Sequence, residues 1–89
     1  MELAKVIGTV VSTSKNATLS GAKLLVVRRL DEKLNPCPET EIAVDSVGAG
    51  NGEIVILTHG SSARHALDNA DSVTDAAIVG IVDTVETVD

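Results

Sequence analysis

No phenylalanine, tyrosine or tryptophan occurs among the 89 residues of this chain. Aromatic side chains usually bury the largest areas in a core, about 150–250 Å² each. Here the apolar side chains come almost entirely from 13 valines, 10 alanines, 8 leucines and 6 isoleucines. Such a core depends on many small contacts, which favours regular β packing. The length predicts one barrel domain over residues 1–89, and we expect contacts between copies to supply part of its stability.

Five short apolar segments predict strands, because they are rich in β-branched residues or alternate between apolar and polar. They are Leu3–Ser12, Lys23–Leu30, Thr40–Ser46, Glu53–Thr58 and Ala76–Asp83. Asn51-Gly52 is a tight-turn dipeptide and predicts that the third and fourth strands form an antiparallel hairpin. In the third strand, Ile42 and Val44 share one face. A short sixth strand over Thr84–Asp89 is an alternative.

The connecting segments are predicted from their turn and cap residues. Asp31–Glu39 contains both prolines and is expected to be the main loop, with Cys37 as an exposed thiol. Ser61 or Ser62 is expected to cap a short helix that ends near Leu67, with Ala66 and Leu67 facing inward. Together these elements predict a mainly β fold. The expected architecture is a small closed five-stranded antiparallel barrel, OB-like, with one short helix between strands four and five.

The charge and composition exclude several classes of protein. The net charge of −6 argues against binding to phosphate backbones, and a chain without aromatic residues lacks stacking platforms for single-stranded nucleic acid. No apolar run is long enough to span a membrane, and no secretory signal is recognisable at the N-terminus. A single cysteine cannot form an intrachain disulfide, so we expect a cytoplasmic protein.

The charge is unevenly distributed along the chain. Residues 1–33 carry a net +3, residues 34–64 a net −3, and residues 65–89 a net −6 without any lysine or arginine. The acidic C-terminal part is either a solvated face or a surface that meets a basic partner or another copy.

Two polar motifs contain residue types that occur in ligand-binding or catalytic sites. The segment from Gly48 to Gly52 has three alternate glycines, but it lacks the spacing and the lysine of phosphate-binding loops, so a structural turn is predicted. His59, Ser61, Ser62 and His65 lack the Gly-x-Ser-x-Gly pattern of a nucleophile elbow. These histidines and Cys37 also lack metal-site spacing. We therefore predict no enzyme activity, no metal and no cofactor.

Apolar residues occupy both faces of strands one, two and five, although a barrel has only one interior. Surplus outward apolar side chains are typical of subunit contacts.

Several segments together resemble the EutN/CcmL family of bacterial microcompartment vertex proteins. The resemblance covers nearly the whole chain in order. It rests on AKVIGTVVSTSK (residues 4–15), LSGAKLLVV (19–27), AVDSVGAGNGEIV (43–55), GSSAR (60–64) and DAAIVGIVD (75–83). The most specific piece is the turn that runs from Asp45 to Glu53.

The resemblance implies a structural role without a reaction. It implies a homopentamer that occupies the vertices of a polyhedral shell in the cytoplasm and contacts hexameric, and also trimeric, shell proteins. The candidate assembly residues are Asp45, Val47, Gly48, Ala49, Gly50, Gly52, Glu53, Ser61, Ser62, Arg64, Gly80 and Asp83.

Other interpretations remain open at this point. The main alternative is an oligomeric OB-like binding module for a basic peptide or a small ligand, and a weaker one is a small hydrolase that uses Ser61 or Ser62. Arg64 is the only lysine or arginine between residue 34 and the C-terminus. We predict that its guanidinium holds Asp45 or Glu53, within the barrel or across a subunit boundary.

Overall fold

The computed structural model describes residues 1–13, 16, 19, 21–67 and 74–88 of the chain. Five strands close into a barrel in the order β1-β2-β3-β5-β4. Their bounds are β1 (Glu2–Val10), β2 (Leu24–Leu30), β3 (Pro36–Asp45), β4 (Ile54–His59) and β5 (Ala76–Val82), and the helix α1 (Gly60–Ala66) lies between β4 and β5. The predicted five-stranded barrel with one short helix is confirmed. Residues 84–88 form no sixth strand.

The barrel is mixed rather than wholly antiparallel, which corrects the prediction. β3 and β5 pair in parallel, with Val44 opposite Ala77 and Asp45 opposite Ile78. The predicted hairpin between β3 and β4 is also wrong, since β5 lies between these two strands. The physical reason is the connection through α1. α1 starts where β4 ends, at the end of the barrel where β3 begins. β5 follows α1 and therefore starts at this same end, so it runs in the same direction as β3.

Both prolines lie in β3 and not in the predicted loop. Pro36 pairs with Leu30 of β2, and an irregularity separates this pair from the next one. Prolines are tolerated here because β5 pairs only with the last residues of β3, so the missing N–H groups are not needed by a neighbour on that side. The guanidinium of Arg28 donates instead to the carbonyls of Cys37 and Pro38, at 3.2 and 3.3 Å. Cys37 is half-buried on this strand, so the expectation of an exposed loop thiol is corrected.

The core consists of small aliphatic side chains contributed by all five strands. The largest side chains that are fully buried belong to Val6, Leu25, Val27, Val55, Leu57 and Ile78. In β3 the buried residues are Ala43, which pairs with the buried Leu25, and Val44, which pairs with Ala77 of β5. Ile42 therefore points outward and is 56% exposed. The alternation of β3 is visible in the sequence, but only the pairing with the neighbouring strands decides which residues are buried.

Helix α1 begins earlier in the chain and is oriented differently from the prediction. Its N-cap residue is His59 and no side chain caps it, so neither Ser61 nor Ser62 has the predicted role. Ala63 is the buried residue of the helix, whereas Ala66 is exposed and Leu67 is half-buried. The helix begins directly at the end of β4, and this fixes Ala63 rather than Ala66 against the barrel. Among the described residues, no helix has the length and apolarity that crossing a membrane requires.

Candidate assembly site

The segment that follows β3 is built around the carboxylate of Asp45. Its side chain is 1% exposed. Asp45 Oδ1 accepts hydrogen bonds from the backbone N–H groups of Val47 (3.0 Å) and Gly48 (3.2 Å), and Oδ2 accepts from Ala49 (2.8 Å). A carboxylate is suited to this position because its two oxygens can accept several hydrogen bonds at once. Asp45 therefore shapes the turn from inside.

Lys23 adds a second set of contacts to the same turn. Its Nζ lies 3.5 Å from Asp45 Oδ2 and donates to the carbonyl of Ala49 at 2.7 Å. The backbone carbonyl of Lys23 accepts from the N–H of Asp45 at 2.9 Å. Ala49 itself is fully buried. The Lys23 side chain is half exposed, so its ion pair adds little to the free energy of unfolding, and its main effect is to position the turn. Lys23 and Asp45 are 22 positions apart, and no local pattern in the sequence indicates that they are partners.

The second half of the turn is attached to β1. Glu53 Oε1 accepts from the N–H of Gly50 at 2.7 Å. The N–H of Gly52 donates to the carbonyl of Val6 at 2.8 Å, and the N–H of Val6 donates to the carbonyl of Glu53 at 2.9 Å. These bonds hold the turn against the barrel, which confirms that it is a structural turn. Glycine is favoured at Gly48 and Gly52, because their φ angles are 82° and 87°.

Arg64 does not hold Asp45 or Glu53 within the subunit. Its Nη1 donates to the carbonyl of Thr74 at 3.4 Å, so it ties α1 to the residues before β5. Asp45 is occupied by the turn and by Lys23. Arg64 also lies in the last turn of α1, where a cation is compatible with the helix dipole. The predicted pairing inside the barrel is therefore wrong, and a pairing across a subunit boundary stays a prediction.

The remaining candidates lie on two different parts of the surface. Ser61 and Ser62 line an open groove of about 500 Å³ beside α1, which we call the α1 groove. Gly80 lies on β5 opposite Ile56, and a Cβ at this position would come 3.5 Å from Ile56 Cδ1. Asp83 is exposed in the bend that follows β5. The other residues that line the α1 groove are Met1, Thr58, His65, Ala66 and Val79.

Two polar pairs that the sequence analysis missed lie at the end of the barrel where β1 begins. Arg29 Nε is 3.1 Å from Glu2 Oε2, and His59 Nε2 is 2.6 Å from Glu41 Oε1. Both Glu2 Oε2 and Arg29 Nε are buried without a well-aligned hydrogen bond, so that pair is held by charge. Glu2 lies two residues before the buried Ala4, so both side chains are on the same face of β1. This spacing in the sequence indicates an acidic side chain that faces inward.

The geometry defines an OB-like barrel subunit whose turn is held from within and whose outer walls carry apolar surface. Among the described residues, no group of three histidine, cysteine, aspartate or glutamate side chains could hold a metal ion. The family model described as "Ethanolamine utilisation protein EutN/carboxysome" matches residues 1–83. The chain belongs to the EutN/CcmL family.

Individual relatives agree over nearly their whole length. The chain is 69% identical over 88 residues to the bacterial microcompartment shell vertex protein GrpN of Rhodospirillum rubrum, covering 99% of each chain. It is 54% identical to the shell vertex protein PduN of Salmonella typhimurium, covering 94% of this chain and 97% of that one. The solved structure of the pentameric shell protein GrpN from Rhodospirillum rubrum superposes with a TM-score of 0.91, over 99% of this chain and 100% of that chain.

Proposed function

We propose that this protein is a structural subunit of a bacterial microcompartment shell, in which one barrel domain per chain assembles into homopentamers that cap the shell vertices. The observation that carries the proposal is the 69% identity to a vertex protein whose solved structure is pentameric, together with the agreement of the two folds. These findings favour the vertex role over a binding module for a peptide or a small ligand.

The proposed partners follow from the geometry of a closed shell. A flat sheet of hexagonal tiles can close into a polyhedron only if fivefold units replace hexagons at the corners. A cyclic pentamer is therefore expected to contact hexameric shell proteins, and trimeric ones of similar outline, along its outer edge. We place the assembly in the shell within the cytoplasm.

We also propose that the subunit catalyses no reaction. The acidic turn residues support a structural role, because Asp45 and Glu53 both accept hydrogen bonds from the turn that they shape. Groups that are occupied in this way are poorly available for proton transfer to a substrate.

The proposal is tested first on the purified chain and then with its partners. Native mass spectrometry at low micromolar concentration is expected to show a species of five times the 9.1 kDa chain mass. Co-expression with a hexameric shell protein is expected to give closed polyhedra in electron micrographs. Open sheets or tubes are expected when this chain is omitted. Closed shells that form equally well without the chain would contradict the vertex role.

A further inference from the structure

The last inward layer of the barrel, at the end where β1 begins, is made largely of ionisable side chains. Four strands each contribute one such residue, two positions from a side chain that is at most 1% exposed, so all four lie on the interior face. The buried neighbours are Ala4, Val27, Ala43 and Leu57. The four ionisable residues are Glu2 on β1, Arg29 on β2, Glu41 on β3 and His59 on β4. The small Ala76 of β5 completes the layer, in register with His59.

The net charge of this layer depends on the protonation of His59. With a neutral ring, the two carboxylates face one guanidinium and the layer carries one negative charge. With a protonated ring, the layer is neutral. The side chains of Glu2, Glu41 and His59 are only 32–33% exposed, so an unbalanced carboxylate is less well hydrated here than on an open surface. Protonation of His59 therefore removes a charge imbalance from the end of the barrel.

Glu41 is the carboxylate that His59 contacts. Arg29 Nε lies 3.1 Å from Glu2 Oε2, so the charges of these two residues balance each other. Glu41 Oε1 lies 2.6 Å from His59 Nε2. A hydrogen bond between an imidazolium and a carboxylate is charge-assisted, which makes it stronger than the bond that a neutral ring donates.

The other ionisable groups on the elements around His59 do not replace this partner. Among the described residues they are the amino group of Met1, Glu39 of β3, Asp75 before β5, and Arg64 and His65 of α1. All except Arg64 belong to exposed residues, and their charges are weakened by water and salt. The guanidinium of Arg64 donates to the carbonyl of Thr74. The contact with Glu41 is therefore expected to dominate the response of His59 to pH.

His59 is also the residue from which α1 starts. It is the N-cap residue of the helix, and the N–H of the following Gly60 donates to the carbonyl of Asp75 at 3.0 Å. α1 packs against β4 and β5, and the contact of His59 with Glu41 extends this anchorage to β3. A change in the contact is therefore transmitted to the first turn of α1 and to the start of β5.

We propose that His59 and Glu41 form a pH-sensitive latch, which holds the α1 end of the barrel closed when His59 is protonated and loosens it when His59 is neutral. Histidine is the side chain whose ordinary change of charge falls between about pH 5 and 8, and carboxylates stay ionised over most of that range. The latch therefore tightens as the pH falls from 8 to 6. The device lies within one subunit, so it does not depend on the proposed pentamer.

Hydrogen exchange of the backbone amides tests the latch where it acts. Exchange in α1 and at the start of β5 is followed by mass spectrometry at pH 8 and at pH 6, and each rate is divided by the intrinsic rate at that pH. In the parent, protection of these amides is expected to rise about threefold to fivefold from pH 8 to pH 6, as for a partly exposed hydrogen bond that gains a charge. Equal protection at the two pH values would overturn the proposal, whether or not any variant folds.

Three variants assign the effect to the two residues. Glu41→Gln and His59→Gln each remove one charge with little change of volume, and both are expected to abolish the rise in protection. His65→Gln is the matched control, because His65 is the second of the two histidines in the chain and is exposed on α1. It is expected to retain the full rise. A rise that persists in Glu41→Gln or His59→Gln, or that disappears in His65→Gln, would show that another group is responsible and would overturn the latch.

Discussion

His59 Nε2 lies 2.6 Å from Glu41 Oε1 and joins two strands, β4 and β3, that do not pair with each other. β5 lies between these strands but begins only at Ala76, so the pair bridges β3 and β4 beside the start of β5, where both side chains are 33% exposed. An ionised carboxylate only accepts, so this contact is a hydrogen bond when the His59 ring carries a proton on Nε2. The contact therefore closes one end of the barrel without a backbone ladder.

We predict that this contact is a measurable coupling between β3 and β4. The single variants Glu41→Ala and His59→Ala each lower the free energy of unfolding, and the double variant is less destabilised than their sum. The coupling energy is expected to be about 1 kcal/mol, as for a hydrogen bond to a charged group that is partly exposed. A cycle of the four proteins by urea denaturation at equal chain concentration measures it. Additive effects of the two substitutions would show that the contact contributes nothing.

Removal of the Asp45 carboxylate is predicted to be more costly. Asp45→Ala leaves three backbone N–H groups without their acceptor and Lys23 without its ion-pair partner, in a place where the carboxylate is 1% exposed. The free energy of unfolding is expected to fall by about 2–4 kcal/mol.

Asp83→Ala provides the matched control for Asp45. Asp83 is exposed, and its substitution is expected to change stability by no more than about 0.5 kcal/mol. Thermal denaturation of both variants at one concentration makes the comparison. Equal midpoints for the two variants would contradict the role of Asp45 in the turn.

The glycine turn allows a comparison of two positions in one segment. Gly48 has φ 82°, which L-residues rarely adopt, whereas Gly50 is outside that region and a Cβ there would be 3.5 Å from Glu53 Oε1, an ordinary contact. Gly48→Ala is therefore expected to cost about 1–2 kcal/mol, and Gly50→Ala well under 1 kcal/mol. Equal urea midpoints for the two variants would contradict the assignment of strain to Gly48.

Asp31 predicts a dependence of stability on pH. Hydrogen bonds from the backbone N–H of Asn35 and then of Lys33 hold the pKa of Asp31 below its ordinary value of 3.8. A carboxyl with a depressed pKa in the folded state stabilises the fold above its unfolded pKa, and this contribution is lost as the pH falls through the folded pKa. The difference in free energy of unfolding between the parent and Asp31→Ala is thus expected to be present at pH 7. It is expected to disappear when the pH falls below the pKa of Asp31 in the folded state. A difference that is constant from pH 7 to the acid limit would contradict this origin.

Arg64 is predicted to stabilise the junction between α1 and β5. Arg64→Ala removes the bond to the Thr74 carbonyl and is expected to lower the free energy of unfolding by about 1 kcal/mol. Arg64→Lys keeps the charge and is expected to lose less. If Arg64 also pairs across a subunit boundary, the pentamer fraction falls in the same order, and native mass spectrometry of both variants measures it. A pentamer fraction equal to that of the parent in both variants would contradict the pairing between subunits.

Much of the fold was predictable because it depends on local patterns. The β-branched runs of β1, β2, β4 and β5 place strands within one to two residues of their observed bounds, and the helix falls between strands four and five as expected. The motif from Asp45 to Glu53 identified the family and the structural turn. These features depend on residues that are close in sequence, so alternation and turn chemistry are sufficient to find them.

The tertiary structure decided what depends on contacts between distant residues. The parallel pairing of β3 with β5 follows from the end of the barrel to which α1 returns the chain, and no local pattern encodes it. Register with β2 turned Ala43 inward and Ile42 outward, against a pattern that fits either face. The ion pair of Lys23 with Asp45 and the contact of His59 with Glu41 likewise form because the fold brings these distant residues together. The sequence alone determined which segments are strands and where the turn lies, since those are local preferences. Only the closed barrel determined their order, their buried faces and their polar partners, because these depend on which distant residues packing brings together.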